Sequence, residues 1–175
     1  MACGNTLTSG IALDCFNQVG GIEVAYVTSF SGSALTLVES AGEVSSITID
    51  GVAVTTEAAL ATDLNVFEVE KQSSTLTETG TFAADAGTAF YTSVASLLFN
   101  KMSSEKQEVL STLGKNKLCV ILKDNNGKFW LVGNENGATV SNSTSTTGTA
   151  WADRNNMTIE FTGIALNPMY EVVLA

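Results

Sequence analysis

Side chains able to do chemistry are scarce in this chain, and histidine is absent altogether. Catalysis needs a base or nucleophile with a tuned pKa, most often histidine, and nothing replaces it convincingly. Glu68 and Glu70 fall on one face of a strand pattern, and paired carboxylates do serve glycosidases, but in an acidic β protein such a pair reads as a solvated face. Cys3, Cys15 and Cys119 are odd in number and widely spaced, so they imply no disulfide framework. Their pattern fits assembly in a reducing cytosol. Cys15, between Asp14 and Phe16, has no histidine partner and reads as a buried structural thiol. Without histidine or a C-x-x-C pair a zinc site lacks its usual ligands. The glycines of "GNENG" (133–137) come without the lysine and helix of a phosphate loop. The sequons at Asn142 and Asn156 matter only for a secreted chain. The expectation is no enzyme, no metal and no cofactor.

The residues that do invite a role lie in "STSTTGTAWADRN" (143–155). Small polar residues hydrogen-bond their own backbone and resist regular structure, so 138–156 reads as a long loop, functional or disordered. It carries Trp151, Asp153 and Arg154, the only arginine in the chain. Trp and Arg are enriched among interface anchors, which makes this loop a candidate subunit contact with Arg154 facing an acidic neighbouring surface. In the alternative, Trp151 folds back to cap its own domain while Arg154 pairs with Asp153 or Glu160. A third arrangement would use Trp130, Trp151 and Tyr170 as stacking platforms for a carbohydrate or receptor.

Charge narrows the partners. The net charge is −10 with a pI near 4.2, which opposes binding nucleic acid through phosphate neutralisation. It is also lopsided: residues 1–100 hold eleven Asp and Glu against Lys71, net −10, whereas residues 101–175 balance seven acids with seven Lys and Arg. The first residues, MACGNTLTSG, have neither the basic nor the apolar region of a signal peptide, and no apolar run approaches the ~18 residues of a membrane span.

The elements that must position these residues are mostly strands, because β-branched residues at this density favour pleated surfaces. "GGIEVAYVTSF" (20–30) alternates Ile22, Val24 and Tyr26 against Glu23, Ala25 and Val27, suiting a strand with one buried face. "SALTLVES", "EVSSITIDG", "NVFEVEKQ" and "STLTETGTF" (74–82) continue as short strands. "GTAFYTSVASLLFNKMS" (87–103) fits both periods, and its Thr, Tyr and Phe content favours strand. Ser104 with Gln107 resembles a capping box, Val109, Leu110 and Leu113 form a stripe, and Gly114 is a left-handed stop, giving a helix over 104–113. "KLCVILKDNNGKFWLVG" (117–133) is a hairpin around Asn126-Gly127. "MTIEFTG" (157–163) and "MYEVVLA" (169–175) close a single domain, 1–175, of mainly β (α+β) class: a sandwich or barrel with one helix.

Taken in order, "GIALDC…GGIEVAYV", "KMSSEKQEVLSTLGKNKLCVILKDNNGKFWLVGNENG" and "STSTTGTAWADRNNMTIEFTG…YEVV" resemble virion structural proteins of tailed bacteriophages, notably phages of Bacteroidetes hosts. The resemblance implies a tail tube-like fold of two packed antiparallel sheets with one flanking helix. It further implies a virion location after assembly in the host cytoplasm. The partners implied are copies of the chain in a closed ring, six-fold or a multiple, and other tail or connector proteins. DNA would pass through the lumen without specific binding, and no membrane is involved. An acidic lining suits such a conduit because it gains no counterion-release affinity for phosphate. Glu23, Glu68, Glu70 and Glu78 are the expected lumen residues, since they interrupt strand patterns on the non-core face. A capsid-decoration or head-completion protein, and a carbohydrate- or receptor-binding β module, are the alternatives.

Overall fold

The computed structural model describes residue 11 and residues 18–30, 35–40, 43–49, 52–70, 72–83 and 85–174. Cys3, Asp14 and Cys15 lie outside the described residues. The fold is organised around β8 (Leu118–Asp124). Its first five residues, Leu118, Cys119, Val120, Ile121 and Leu122, are all buried, so both of its faces are covered. Leu118, Val120 and Leu122 point into one apolar cluster and Cys119 and Ile121 into a second, as the two-residue period of a strand requires.

β8 pairs antiparallel with β1 (Ile22–Ser29) on one side and with β9 (Phe129–Val132) on the other. β5 (Asn65–Glu68) flanks β1. Beyond β9 come β12 (Tyr170–Val172), β3 (Glu43–Ile49), β2 (Leu35–Ser40) and β4 (Val52–Val54). A second run of strands, β10 (Ala138–Thr146), β11 (Asn156–Ala165), β7 (Thr88–Asn100) and β6 (Thr75–Ala83), packs its inner face on β1 and β8. Ala95, Leu97, Ile159 and Phe161 there share one cluster with Ala25, Val27, Val120 and Leu122. The second cluster joins Tyr26, Ile121, Phe129 and Leu131 to Val44, Ile47 and Val54 and to Leu60 of a short helix, α1 (Glu57–Asp63). A longer helix, α2 (Ser104–Leu113), lies beside β5 and the end of β7, with Leu110 and Leu113 against the first cluster.

The hairpin expected over 117–133 is present as β8 and β9. Asp124 organises its turn, accepting from the backbone N–H groups of Asn126 (2.8 Å) and Lys128 (2.9 Å). Gly127 supplies the left-handed residue, φ 82°, as an Asn-Gly turn demands. The ambiguous 87–103 is a strand, β7, and the helix occupies 104–113 as its stripe predicts.

Several expectations need correction. The strands form one hydrogen-bonded network rather than two separate antiparallel sheets, and it is mixed, because β12 runs parallel to β3. There are two described helices, not one. The missed α1 is only seven residues long, capped by the Thr56 hydroxyl accepting from Ala59 N–H at 3.2 Å. The α2 cap is Ser103, which accepts from Lys106 N–H, rather than Ser104. Gly114 ends that helix in the right-handed region (φ −64°) rather than the left-handed one. β1 buries both faces, since its register shifts between Ile22 and Val24 and its two sides serve different clusters. Finally, half of the 138–156 loop is strand: β10 reaches Thr146 and leaves 147–155 as the connection.

Candidate functional site

The most distinctive surface is built where β10 leaves the core. Gly133 takes φ +85°, and a Cβ there would stand 2.3 Å from the Ala138 nitrogen, so only glycine permits the tight return. Gly137 N–H closes the turn on Gly133 O at 3.2 Å. The chain then touches β8 at a single register pair, Ala138 with Leu118, and runs along β11 instead. From Thr139 onward no described strand pairs with the outer edge of β10. β6, at the other end of the same run, pairs only with β7 among the described strands and leaves its outer edge open to them.

The side chains of these four strands sort into rows across the register. One inner row joins Leu76, Ala95, Phe161 and Val140, and the next joins Glu78, Ser93, Gly163 and Ala138. The outer rows differ in kind: Thr77, Val94, Thr162 and Thr139 in one, Thr75, Ser96, Glu160 and Asn142 in the other. The outer face is therefore rich in hydroxyls, with Val94, Leu98 and Ile164 as its apolar breaks. None of the four strands contains Lys or Arg, and Glu160 is the one charge on this face. Thr162 Oγ1 donates to Ser141 Oγ at 2.9 Å, and Ser141 Oγ to Glu160 O at 3.3 Å, so neighbouring hydroxyls satisfy part of one another.

The connection 147–155 is held by its own hydrogen bonds. Asp153 Oδ2 accepts from Thr149 N–H at 2.7 Å and from Ala150 N–H at 2.6 Å. These bonds, the one from Ala150 foremost, hold the Asp153 carboxyl below its ordinary range, because both favour the charged form. Gly148 adopts φ +72° with the Asp153 side chain pressed against it. At the base, Asn155 O accepts from Lys101 N–H at 2.8 Å and Asn155 Oδ1 from Met102 N–H at 2.9 Å. On this frame Trp151 is fully exposed, at 108% relative accessibility. Arg154 Nη1 donates to Ser73 Oγ at 3.2 Å. The fold-back alternative is thereby corrected: Trp151 caps nothing among the described residues, and Arg154 meets Ser73 rather than Asp153 or Glu160.

The four acids proposed from sequence do not share a face. Glu23 pairs with Lys123 at 3.2 Å, and Lys123 also reaches Glu57 at 2.7 Å. The Glu57 bond is the main reason the Lys123 ammonium is held above its ordinary pKa. Glu78 lies in an inner row and accepts from Met169 N–H at 2.6 Å. Glu70 accepts from the Asn100 side-chain amide, and Glu68 is exposed at the end of β5. The aromatic platforms are separated as well. Trp130 donates from its indole to Asp124 Oδ2 at 3.2 Å and lines a hollow with Ile22 and Leu76, whereas Tyr170 packs on the opposite cluster.

Sequence reasoning missed the open hydroxyl face. Its signal was readable as the complete lack of Lys and Arg across 75–83, 88–100, 138–146 and 156–165. It also missed an apolar groove between α2 and β5, lined by Val66, Phe67, Phe99, Val109, Leu110 and Met157. Among the described residues, no group of three or more Cys, Asp or Glu is placed to hold a metal ion, and no helix is long and apolar enough to cross a membrane. No protein-family model, curated protein or solved structure matches the chain.

Proposed function

We propose that the chain is a structural subunit that assembles with copies of itself into a closed ring, as a tail tube or tail/connector ring of a bacteriophage virion. One observation carries this reading. Among the described strands the run β10-β11-β7-β6 leaves its outer edges open at both ends, apart from the Ala138–Leu118 pair, and one of its faces is hydroxyl-rich and free of cations. Each neighbouring pair in it is antiparallel, so β10 and β6 run in opposite senses. Rotation of one copy beside another can thus lay β6 against the neighbour's β10 with the antiparallel alternation unbroken. Free edges are a liability for a lone β domain, and cyclic closure pairs the β6 and β10 edges of every copy at once.

In such a ring, packing β1 and β8 behind this sheet turns the hydroxyl face toward the centre. A lining of Thr and Ser with a ring of Glu160 carboxylates offers DNA no cation. No counterions are released on contact, and the phosphate backbone slides without being held. The packing of this sheet on β1 and β8 supports the tail tube-like reading that the sequence resemblance implies. Glu160 replaces Glu23, Glu68, Glu70 and Glu78 as the acid assigned to the lumen, because Glu78 is turned inward and Glu23 is engaged with Lys123.

Sedimentation velocity with negative-stain electron microscopy of the purified protein tests the reading. Rings or tubes with a central channel are expected as concentration rises. A species that stays monomeric at every concentration, under crowding and at high salt would overturn it.

A further inference from the structure

Trp151 is exposed, and the α2–β5 groove is an open apolar hollow; strand pairing uses neither. The indole is fully exposed on a loop whose backbone is already fixed by Asp153, Gly148 and Asn155. An anchor ordered before binding loses little conformational freedom when it docks. The groove is a hollow of about 250 Å³ with apolar walls, larger than the roughly 150 Å³ cavity that accepts a benzene ring. Val66 and Val109 on its rim remain 43% and 44% exposed. It continues along α2 toward Glu108, Thr112 and Leu113.

Charge identifies the occupant. Glu68 and Glu105 flank the groove and Glu108 its extension. None of the three makes an ion pair among the described residues. The one cation at the groove, Lys106, turns its ammonium to the carbonyls of Asn100 and Lys101. A ligand for this site should therefore present a large apolar ring with a positive charge close by. The chain itself carries that pair three residues apart: Trp151 beside Arg154, whose guanidinium has only a hydroxyl partner, Ser73, among the described residues.

We propose that Trp151 of one copy seats in the α2–β5 groove of another, with Arg154 meeting the Glu68 and Glu105 carboxylates, as a lock between subunits distinct from strand pairing. The lock rests on the self-assembly reading above. Trp and Arg are the residues that most often dominate interface energetics, and Phe67 and Phe99 on the groove wall offer rings to the indole.

The test uses the full chain and reads assembly by sedimentation. Trp151→Ala should leave the monomer folded, since the ring is fully exposed, and raise the half-assembly concentration about thirty-fold or more. Val109→Glu, at a half-exposed helix position, should do the same from the other side. Arg154→Glu should weaken assembly, and adding Glu68→Arg with Glu105→Arg should restore it. In a Trp130→Phe background Trp151 is the sole indole, and its quenching by acrylamide should fall as assembly proceeds. If the parent assembles while Trp151→Ala assembles equally well, or Trp151 stays freely quenched in the assembly, the lock is wrong and the ring reading stands. If the parent never assembles, both fall.

Discussion

Ala138 pairs with Leu118, and that is the only register pair joining β10 to β8. Eight residues of β10 beyond it pair with β11 alone or with nothing, so a single contact decides that the strand ends on an open edge rather than inside the central sheet. Gly133 sets this geometry. Gly133→Ala is expected to destabilise the subunit by at least about 2 kcal/mol, combining left-handed strain with backbone collision at Ala138. Urea denaturation measures it, and an unchanged midpoint would show that the turn tolerates a side chain.

The two-sided burial of β8 makes a second prediction. Ile121 and Leu122 are adjacent yet belong to different clusters, so Ile121→Ala and Leu122→Ala should each cost about 2–5 kcal/mol. A strand with one buried face would give a large loss at one position and a small one at the other. Chemical denaturation of both variants distinguishes these outcomes.

Cys119 is fully buried, and burial pushes its thiol up to about 12 from an ordinary value of 9.0. The thiolate is the reactive form, so Cys119 should resist alkylation at pH 8 in the native protein and react once unfolded, as peptide mapping by mass spectrometry will show. A folded-state pKa above the unfolded one stabilises the fold fully below pH 9, and that contribution is lost as pH rises from 9 toward about 12. Cys119→Ala should flatten the alkaline end of the stability curve.

Asp153 has the opposite sign. Its carboxyl is held down by the Ala150 and Thr149 N–H groups, so its contribution to loop order is present above the unfolded carboxylate range and lost as pH falls through the lowered value. The amide resonances of Thr149 and Ala150 should shift together on acidification, below the pH at which an unperturbed Asp titrates. Asp153→Ala should abolish those shifts and loosen the presentation of Trp151 without changing global stability.

Much of this architecture was legible in the sequence. The Asn126-Gly127 turn, the alternation Met157, Ile159, Phe161 and the stripe Val109, Leu110, Leu113 each depend on local periodicity, and local periodicity survives in the fold. The pairing of β12 with β3 did not announce itself, because three residues at Tyr170–Val172 carry no sign of their partner or direction. β10 was hidden for a related reason. Ser and Thr at 141–146 have the propensity of a loop, and what makes them a strand is the register with β11, a tertiary fact. Trp151 and Arg154 were visible as unusual residues in a polar segment, whereas the groove between α2 and β5 exists only once distant segments meet. The acids misled most: counting Glu23 and Glu78 as a non-core face ignored that Lys123 and the Met169 amide would engage them.

The central claim is that β6 of one subunit continues into β10 of the next. A cryo-electron microscopy reconstruction of the purified, assembled protein tests this most directly. The predicted result is a closed sheet around a channel, with β6 and the neighbour's β10 antiparallel at about 4.8 Å spacing and Glu160 facing the lumen. A reconstruction in which both edges remain unpaired, or in which Glu160 and the Thr rows lie on the outer wall, would contradict it.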